Sequence, residues 1–197
     1  LLVAGSQMSF TVMTAAAPFI ATDLLAGTTA DVAKLMGPLL AIALPCFFFA
    51  PRISKKIGWE KSLIISSIGL AVVYCSTTTL GSAIIGSPMT TAMFFFGCGG
   101  PFVALLLGVE GEAITDCANE QGPEIVSVYW GVFNFIIKAM NGVALAVGGV
   151  LAGLAATDPE SAWLAGSAAV RVMSFVAGGF LLLGVAVYYL VRPKSTG

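Results

Sequence analysis

The stretch IVSVYWGVFNFIIKAMNGVALAVGGVLAGLAA, residues 125–156, decides the fold, because Lys138 is its only charged residue. A helix of about 20 residues, rising 1.5 Å per residue, crosses the ~30 Å hydrocarbon core of a bilayer. The stretch is longer than that and therefore predicts a membrane-spanning helix. A lysine inside such a helix costs roughly 2.5–3.5 kcal/mol on insertion scales. We expect Lys138 to face a polar partner or a polar cavity.

Polar side chains near Lys138 fall on one face of this predicted helix. Asn134 lies four residues before Lys138 and Asn141 three residues after it, the spacing of neighbours on a helix surface. Trp130 extends the face toward the start of the stretch. A polar face on a membrane helix indicates either a transport pathway or a buried contact between helices. The candidate pathway residues here are Lys138, Asn134, Asn141 and Trp130.

The first apolar segment carries a second polar face. Gln7, Thr11 and Thr14 recur at helical spacing, followed by Pro18. In one interpretation the hydroxyls bond back to carbonyls of the preceding turn and Gln7 bonds one neighbour. In the other, Gln7, Thr11 and Thr14 line a cavity together with the face around Lys138. The sequence leaves both open.

The composition agrees with a membrane protein. Hydrophobic residues make up 58% and charged residues 10%, whereas a soluble domain carries about 25% charged residues. The net charge of −1 predicts no nucleic-acid partner. The chain has no histidine, and its four cysteines lack CxxC spacing. We therefore expect no catalytic residues, no metal site, no cofactor and no enzyme activity.

Six apolar segments predict a single six-helix bundle over residues 1–197. Because backbone polar groups in lipid must be satisfied within the segment, we expect an all-α membrane protein with six transmembrane helices. The segments cover residues 2–22, 32–50, 62–80, 89–109, 125–156 and 165–191.

The charges of the connections predict the orientation. The connection 51–61 and the C-terminal tail are basic, and the connections on the opposite side are acidic. By the positive-inside rule, the basic side is cytoplasmic, and six spans place both termini there. We expect an integral protein of the cell membrane. The basic residues are Arg52, Lys55, Lys56, Lys61, Arg192 and Lys194, and the acidic ones are Asp23, Asp31, Asp158 and Glu160.

Two carboxylates end the fourth segment. Glu112 and Asp116 are four residues apart and share a helical face at the start of the predicted connection 110–124. Such a pair is either solvated or forms a latch with basic residues across the helix ends. The candidate cytoplasmic gate therefore consists of Arg52, Lys55, Lys56, Glu112 and Asp116.

Glycines mark places of close packing or bending. The fifth segment holds Gly142, Gly148, Gly149 and Gly153, which predict a small-residue face for close helix approach. In the fourth segment, residues 97–101 contain three glycines before Pro101. This run predicts either packing or a hinge.

Three motifs carry a resemblance to a known family. They are PRISKKIG at 51–58, EAITD at 112–116 and YWGVFNFIIK at 129–138. Together they resemble the C-terminal six helices of the glycoside–pentoside–hexuronide cation symporters, the melibiose permease-like family of the major facilitator superfamily. The connection at 119–124 departs from the pattern, because it has no basic residue where the family usually has an arginine.

The resemblance implies half of a 12-helix secondary transporter that performs cation-coupled symport of a small polar solute such as a sugar. Lys138 then resembles the fifth-helix lysine near the sugar and cation pathway, and Asp116 resembles the aspartate that ends the preceding helix. The family's cation-binding carboxylates belong to the N-terminal half. The implied partners are membrane lipid, the solute and a second six-helix bundle, which is an upstream half, a separate chain or a second copy.

A different class of function stays open. A bundle of this kind also suits a non-transporting structural or assembly subunit of a larger membrane complex, since one fold hosts both. A second bundle facing Lys138 across a wet cavity favours transport. Lipid or unrelated subunits packed there favour the structural role.

Overall fold

Helices account for nearly all of the described chain. The structure is a computed structural model that describes residues 2–81, 84–120, 122–157 and 166–191. Within these residues there is no β-strand, so the all-α prediction is confirmed for them. The α-helices are α1 (Leu2–Phe19), α2 (Val32–Phe47), α3 (Ala50–Ile57), α4 (Trp59–Ser76), α5 (Pro88–Asn119), α6 (Val126–Ala155) and α7 (Ser167–Val191). A turn of π-helix covers Ile20–Leu24, and short 3-10 helices cover Thr29–Asp31, Thr77–Thr79 and Pro123–Ile125.

Five helices of the described chain are long and apolar enough to cross a membrane. They cover Thr29–Phe47, Trp59–Thr79, Pro88–Asn119, Val126–Ala155 and Ser167–Val191. These helices are consistent with the predicted integral membrane protein. The first helix, α1, is not among the five. The count of six spans therefore stays a prediction. Residues 158–165 and 192–197, with Asp158, Glu160, Arg192 and Lys194, lie outside the described residues.

The end of α5 differs from the prediction. Apolarity predicted an end at Val109, but the helix continues to Asn119. Helix formers such as Glu112 follow Val109, and no proline interrupts them. The predicted connection 110–124 is thus mostly helical. It turns at Gly122, whose φ of 125° is a conformation that glycine adopts readily.

The basic connection predicted over 51–61 also folds largely as helix. Pro51 occupies the first turn of α3, where a backbone N–H would have no helical partner. Gly58, with φ 89°, ends α3 and leads into α4 at Trp59. Ala50 and Ser54 are buried, and α3 contacts both α4 and α5. The short helix is therefore attached to the bundle rather than free.

Contacts along α1 and α7 show that these two helices are antiparallel. Gly5 lies against the backbone of α7, where a Cβ added to it would come within 2.6 Å of the Phe180 carbonyl oxygen. One turn further along α1, the Ser9 hydroxyl donates to the Ala177 carbonyl. Position numbers rise in α1 as they fall in α7.

Contacts of α4 with α7 and with α5 show that these neighbouring helices are also antiparallel. Gly178 of α7 meets Cys75 of α4, and Gly69 of α4 meets the Phe102 ring of α5. Ser174 meets Thr77 and Gly99 meets Val73, so in both pairs position numbers rise along one helix as they fall along the other. Hence α1, α4 and α6 run one way, and α2, α5 and α7 run the other. The starts of α1, α4 and α6 share one end of the bundle with α3 and with the ends of α5 and α7.

Glycines of α5 allow close contact with α2. A Cβ at Gly100 would lie 2.8 Å from the Leu39 carbonyl oxygen, and one at Gly108 would lie 2.7 Å from the Ala50 Cβ. The helix runs unbroken through Pro101. The packing interpretation therefore accounts for this part of α5, and the hinge stays a prediction.

The predicted glycine face of α6 is mostly unused within this chain. Gly142, Gly149 and Gly153 have no atom within 4 Å of an added Cβ. Gly148 is the exception, at 3.6 Å from the Ala15 Cβ. The prediction of close packing was therefore wrong for the other three glycines within the described bundle, because α6 lies at its edge.

Two helices leave most of their surface uncovered. Only 17% of the apolar window of α2 and 22% of that of α6 is buried, against 44–56% in α4, α5 and α7. The core lies between the better-buried helices and includes Phe96, Leu63 and Met173. The bundle therefore has open apolar faces on α2 and α6.

At the opposite end of the bundle, Arg171 of α7 closes the end of α4. Its guanidinium donates to the carbonyls of Thr78 and Leu80, the latter at 3.2 Å. Carbonyls at a helix end carry partial negative charge and lack helical partners. One turn deeper, Thr77 donates to the Ser174 hydroxyl at 2.8 Å. Arg171 is thus partnered within the chain.

Candidate functional site

The polar stripe of α1, defined as Gln7, Thr11 and Thr14, joins helices on both of its sides. Gln7 Nε2 donates to Oε2 of Glu110 on α5 at 3.0 Å. Thr11 Oγ1 lies 3.2 Å from Oδ1 of Asn141 on α6. The structure therefore brings the polar stripe of α1 together with the polar face of α6. The bond of Gln7 to one neighbour and the back-bonding of Thr11 to the Gln7 carbonyl fit the first interpretation, and the Thr11–Asn141 contact joins the two polar faces.

The other predicted polar residues bond within their own helices. Thr14 donates to the Phe10 carbonyl at 2.8 Å, and Asn134 donates to the Trp130 carbonyl at 2.9 Å. Both residues are exposed. Thr11 also approaches the Gln7 carbonyl, at 2.9 Å. Local back-bonding therefore accounts for Thr14 and Asn134, which remain available on the outer face.

Lys138 is exposed, and it has no hydrogen bond or ion pair with any described residue. The expected polar partner is thus not supplied by this part of the chain. Phe135, on the same face, is 74% exposed. Since α6 lies at the edge of the bundle, the face that carries Lys138 looks outward from it.

The register of α1 and α6 places Lys138 level with Gln7. The two helices are parallel, since Ala4 and Val128 near their starts line one groove and Asp23 and Ala155 near their ends line another. Thr11 and Asn141 are opposite each other. Gln7 lies four residues before Thr11, and Lys138 lies three residues before Asn141. Along the helix axes, their distances from the Thr11–Asn141 contact therefore differ by about 1.5 Å. The Gln7–Glu110 pair and Lys138 therefore lie at similar depth.

An apolar groove runs beside this polar level. It has a volume of about 510 Å³, and a smaller groove of about 170 Å³ adjoins it at Tyr129 and Phe133. The larger groove lies between the start of α1 and the first half of α6, toward the α3 end of the bundle. Lys138 does not line either groove. The two grooves therefore do not supply the expected polar cavity around Lys138 within the described residues. The larger groove is lined by Ala4, Ile125, Val128, Tyr129, Val132, Phe133, Ile136, Ile137 and Met140.

Trp130 packs against its own helix. Its ring meets the Phe133 ring edge-on, with centroids 5.9 Å apart, and the residue is half-buried. This contact favours a packing role for Trp130 in the described chain over a place in the polar pathway.

The candidate gate residues share one end of the bundle. Arg52, Lys55 and Lys56 are exposed on α3, and Arg52 lies over the Phe49 ring at 5.8 Å. On α5, Glu112 is half-buried and Asp116 is exposed. Among the described residues no ion pair joins the two sets. The one ion pair found there joins Lys34 to Asp31 at 2.6 Å. The latch is not formed in this structure and stays a prediction.

Glu110 was not singled out from the sequence. The apolar stretch ends at Val109, which makes Glu110 the first residue of the acidic connection predicted over 110–124. The sequence contains one indication of its role. Residues two apart on a helix point to different faces, so Glu110 faces a different neighbour from Glu112. The continuation of α5 to Asn119 places Glu110 within a helix, facing Gln7.

The chain matches no protein-family model, no curated protein and no solved structure. Function is therefore inferred from the geometry of the bundle and its polar residues.

Proposed function

We propose that this bundle is one half of a secondary active transporter, which performs cation-coupled symport of a small polar solute such as a sugar. In such transporters two bundles rock against each other around a site near the middle of the membrane. The polar stripe of α1 and the face of α6 around Lys138 would form this half's side of the pathway. The resemblance at 51–58, 112–116 and 129–138 supports the same assignment.

The single observation that carries the proposal is the position of Lys138. It is a charged residue in a long apolar helix, it faces outward, and it has no partner among the described residues. A lone ammonium exposed to lipid is costly. It is stable if water in a pathway, or a polar group of a second bundle, faces it.

The uncovered faces of α2 and α6 support a second bundle as partner. Both helices are poorly buried, although both are apolar enough to span a membrane. The partner would be an upstream half, a separate chain or a second copy. The basic α3 end would be cytoplasmic by the positive-inside rule, with both termini on that side of the cell membrane.

Uptake into membrane vesicles tests this function. A radiolabelled galactoside, a pentose and a hexuronate serve as probes, since these represent the solute classes of the resembling family. Lys138→Ala should reduce uptake by at least about tenfold, equivalent to about 1.4 kcal/mol of lost interaction. The matched control is Lys61→Ala, because Lys61 is exposed at the end of the bundle. Normal uptake with Lys138→Ala would contradict the proposed pathway.

A structural or assembly subunit is the second candidate function. The open glycines in the second half of α6, Gly142, Gly149 and Gly153, and the apolar groove along its first half favour close contact with another protein. Under this alternative none of the three solutes is taken up. Lys138→Ala would then reduce the amount of assembled complex, which native electrophoresis of solubilised membranes measures.

A further inference from the structure

Glu110 lies where a membrane bundle places few carboxylates. It is half-buried on α5 and accepts a hydrogen bond from Gln7 at 3.0 Å. The helix continues for nine residues beyond it, to Asn119, a distance of about 13 Å. Burial penalises a charged carboxylate unless partners compensate for the lost water. The partners of Glu110 therefore determine how readily it holds its charge.

No cation compensates Glu110 within the described chain. The charged side chains at this end of the bundle lie on α3, α4, α6 and α5 itself, whereas α1 has none and α2 has Lys34 near its far end. None of these residues forms an ion pair with Glu110 among the described residues. The neutral amide of Gln7 is thus its hydrogen-bond partner there. The charged residues are Arg52, Lys55, Lys56, Glu60, Lys61, Lys138, Glu112, Asp116 and Glu120, together with Glu124 in the turn Pro123–Ile125.

We propose that Glu110 is a reversible proton-binding site, and that proton binding weakens the hold of α5 on α1 through Gln7. A proton from water at the α3 end of the bundle binds a carboxylate oxygen and converts Glu110 to the neutral acid. The hydrogen bond from Gln7 then loses its charged acceptor, and charge-assisted hydrogen bonds are roughly twice as strong as neutral ones. A proton needs one carboxylate oxygen, which this site supplies.

The hydrogen bonds of α1 connect Glu110 to the proposed solute pathway. Gln7 lies one turn from Thr11, and Thr11 contacts Asn141 at 3.2 Å. Asn141 lies one turn from Lys138 on α6. A shift of α1 on protonation therefore reaches the face that carries Lys138. The coupling role rests on the proposed function, whereas proton binding by Glu110 does not.

Infrared difference spectroscopy tests the site without any solute. The purified protein in lipid vesicles is compared between acidic and alkaline buffer, and the C=O stretching band of a protonated carboxyl group is followed. We expect Glu110→Gln to remove a component of this band. Glu112→Gln is the matched control, because Glu112 is half-buried on the same helix but has no hydrogen bond to α1, and its loss should leave that component in place.

A second variant addresses the role of Gln7. The amide donates to the charged form of Glu110, so Gln7→Leu removes a stabiliser of that form. The Glu110 component should then appear at higher pH than in the unmodified protein. If Glu110→Gln fails to fold, as judged by size-exclusion chromatography, the Gln7→Leu shift decides alone. An unmoved component would overturn the proposal.

Two further outcomes would also overturn it. One is a carboxyl band identical in Glu110→Gln and the unmodified protein. The other is a Glu110 band that responds to sodium at constant pH and not to pH, which would make the ligand a metal cation. Failure of the transport proposal is distinguishable from failure of the proton-site proposal. Absence of uptake with an intact Glu110 band removes transport alone, and uptake without the band removes the proton site alone.

Discussion

At the scale of single residues, hydrogen bonds to carbonyls decide how polar side chains lie in this apolar chain. The guanidinium of Arg171 donates hydrogen bonds to the carbonyls at the end of α4, whereas Lys138 has no such partner among the described residues. The difference separates a cation with a structural role from one available for function. A charge alone does not make the distinction, since both residues occur in long apolar segments.

Replacement of Arg171 by Met should destabilise the bundle by about 1–3 kcal/mol, because the Thr78 and Leu80 carbonyls lose their donor. Thermal unfolding in detergent, followed by circular dichroism, measures the change. Arg52→Met is the control, since Arg52 is exposed on α3, and surface changes usually stay within about 0.5 kcal/mol. Equal effects of the two variants would show that Arg171 does not secure the end of α4.

Glycines of α5 and α6 are expected to respond to substitution in opposite ways. Gly100→Ala places a Cβ 2.8 Å from the Leu39 carbonyl oxygen, so α2 must move, at a cost of about 1–3 kcal/mol. Gly149→Ala meets no atom within 4 Å, and it should stabilise α6 by up to about 1 kcal/mol through helix propensity. Unfolding midpoints of the two variants give the comparison. Stability of Gly100→Ala equal to that of the unmodified protein would contradict the close contact between α2 and α5.

At the scale of elements, alternating helix directions place α3 at one end of the bundle and the turn after α1 at the other. Single cysteines at Lys55 and Asp23, in a chain whose four native cysteines are replaced by serine, should therefore react with a membrane-impermeant maleimide from opposite sides. Lys55 is expected to react from the cytoplasmic side. Labelling is measured on intact cells and on inverted vesicles. Reaction of both positions from one side would contradict the six-span topology.

The elements also show where sequence reasoning is reliable. Long apolar stretches predicted α6 to within one residue at each end, since a lipid-facing backbone must be helical throughout. The same criterion failed at α5, because helix formation does not stop where charge begins, and Glu110 was overlooked for that reason. The contact of Thr11 with Asn141 joins residues 130 positions apart. Helical spacing within each segment could place both on polar faces, but only the packing of the helices brings them together.

At the scale of the whole molecule, the bundle has a well-packed core and two poorly covered helices, α2 and α6. The core follows α1, α4, α5 and α7, while α2 and α6 expose most of their apolar surface. The sequence predicted these helices but could not assign their order of burial, because both are as apolar as their neighbours.

Large residues on the open face of α6 should affect assembly without affecting the fold. Gly142→Phe adds a ring where no atom of the described chain lies within 4 Å of an added Cβ, so thermal stability in detergent should change little. Association with a second bundle should fall, because a bulky side chain holds helix backbones apart. Chemical crosslinking in native membranes measures the association, with Gly148→Phe, which faces Ala15, as the variant expected to lower thermal stability instead. Unchanged crosslinking with Gly142→Phe would place the partner elsewhere.

The bond between Gln7 and Glu110 has a consequence for biogenesis. The two residues are 103 positions apart, and synthesis at 5–20 residues per second takes roughly 5–20 s to cover that distance. During this interval α1 is made but lacks both Glu110 and Asn141. The contacts that hold the polar stripe of α1 therefore form late, after α5 and α6 have left the ribosome.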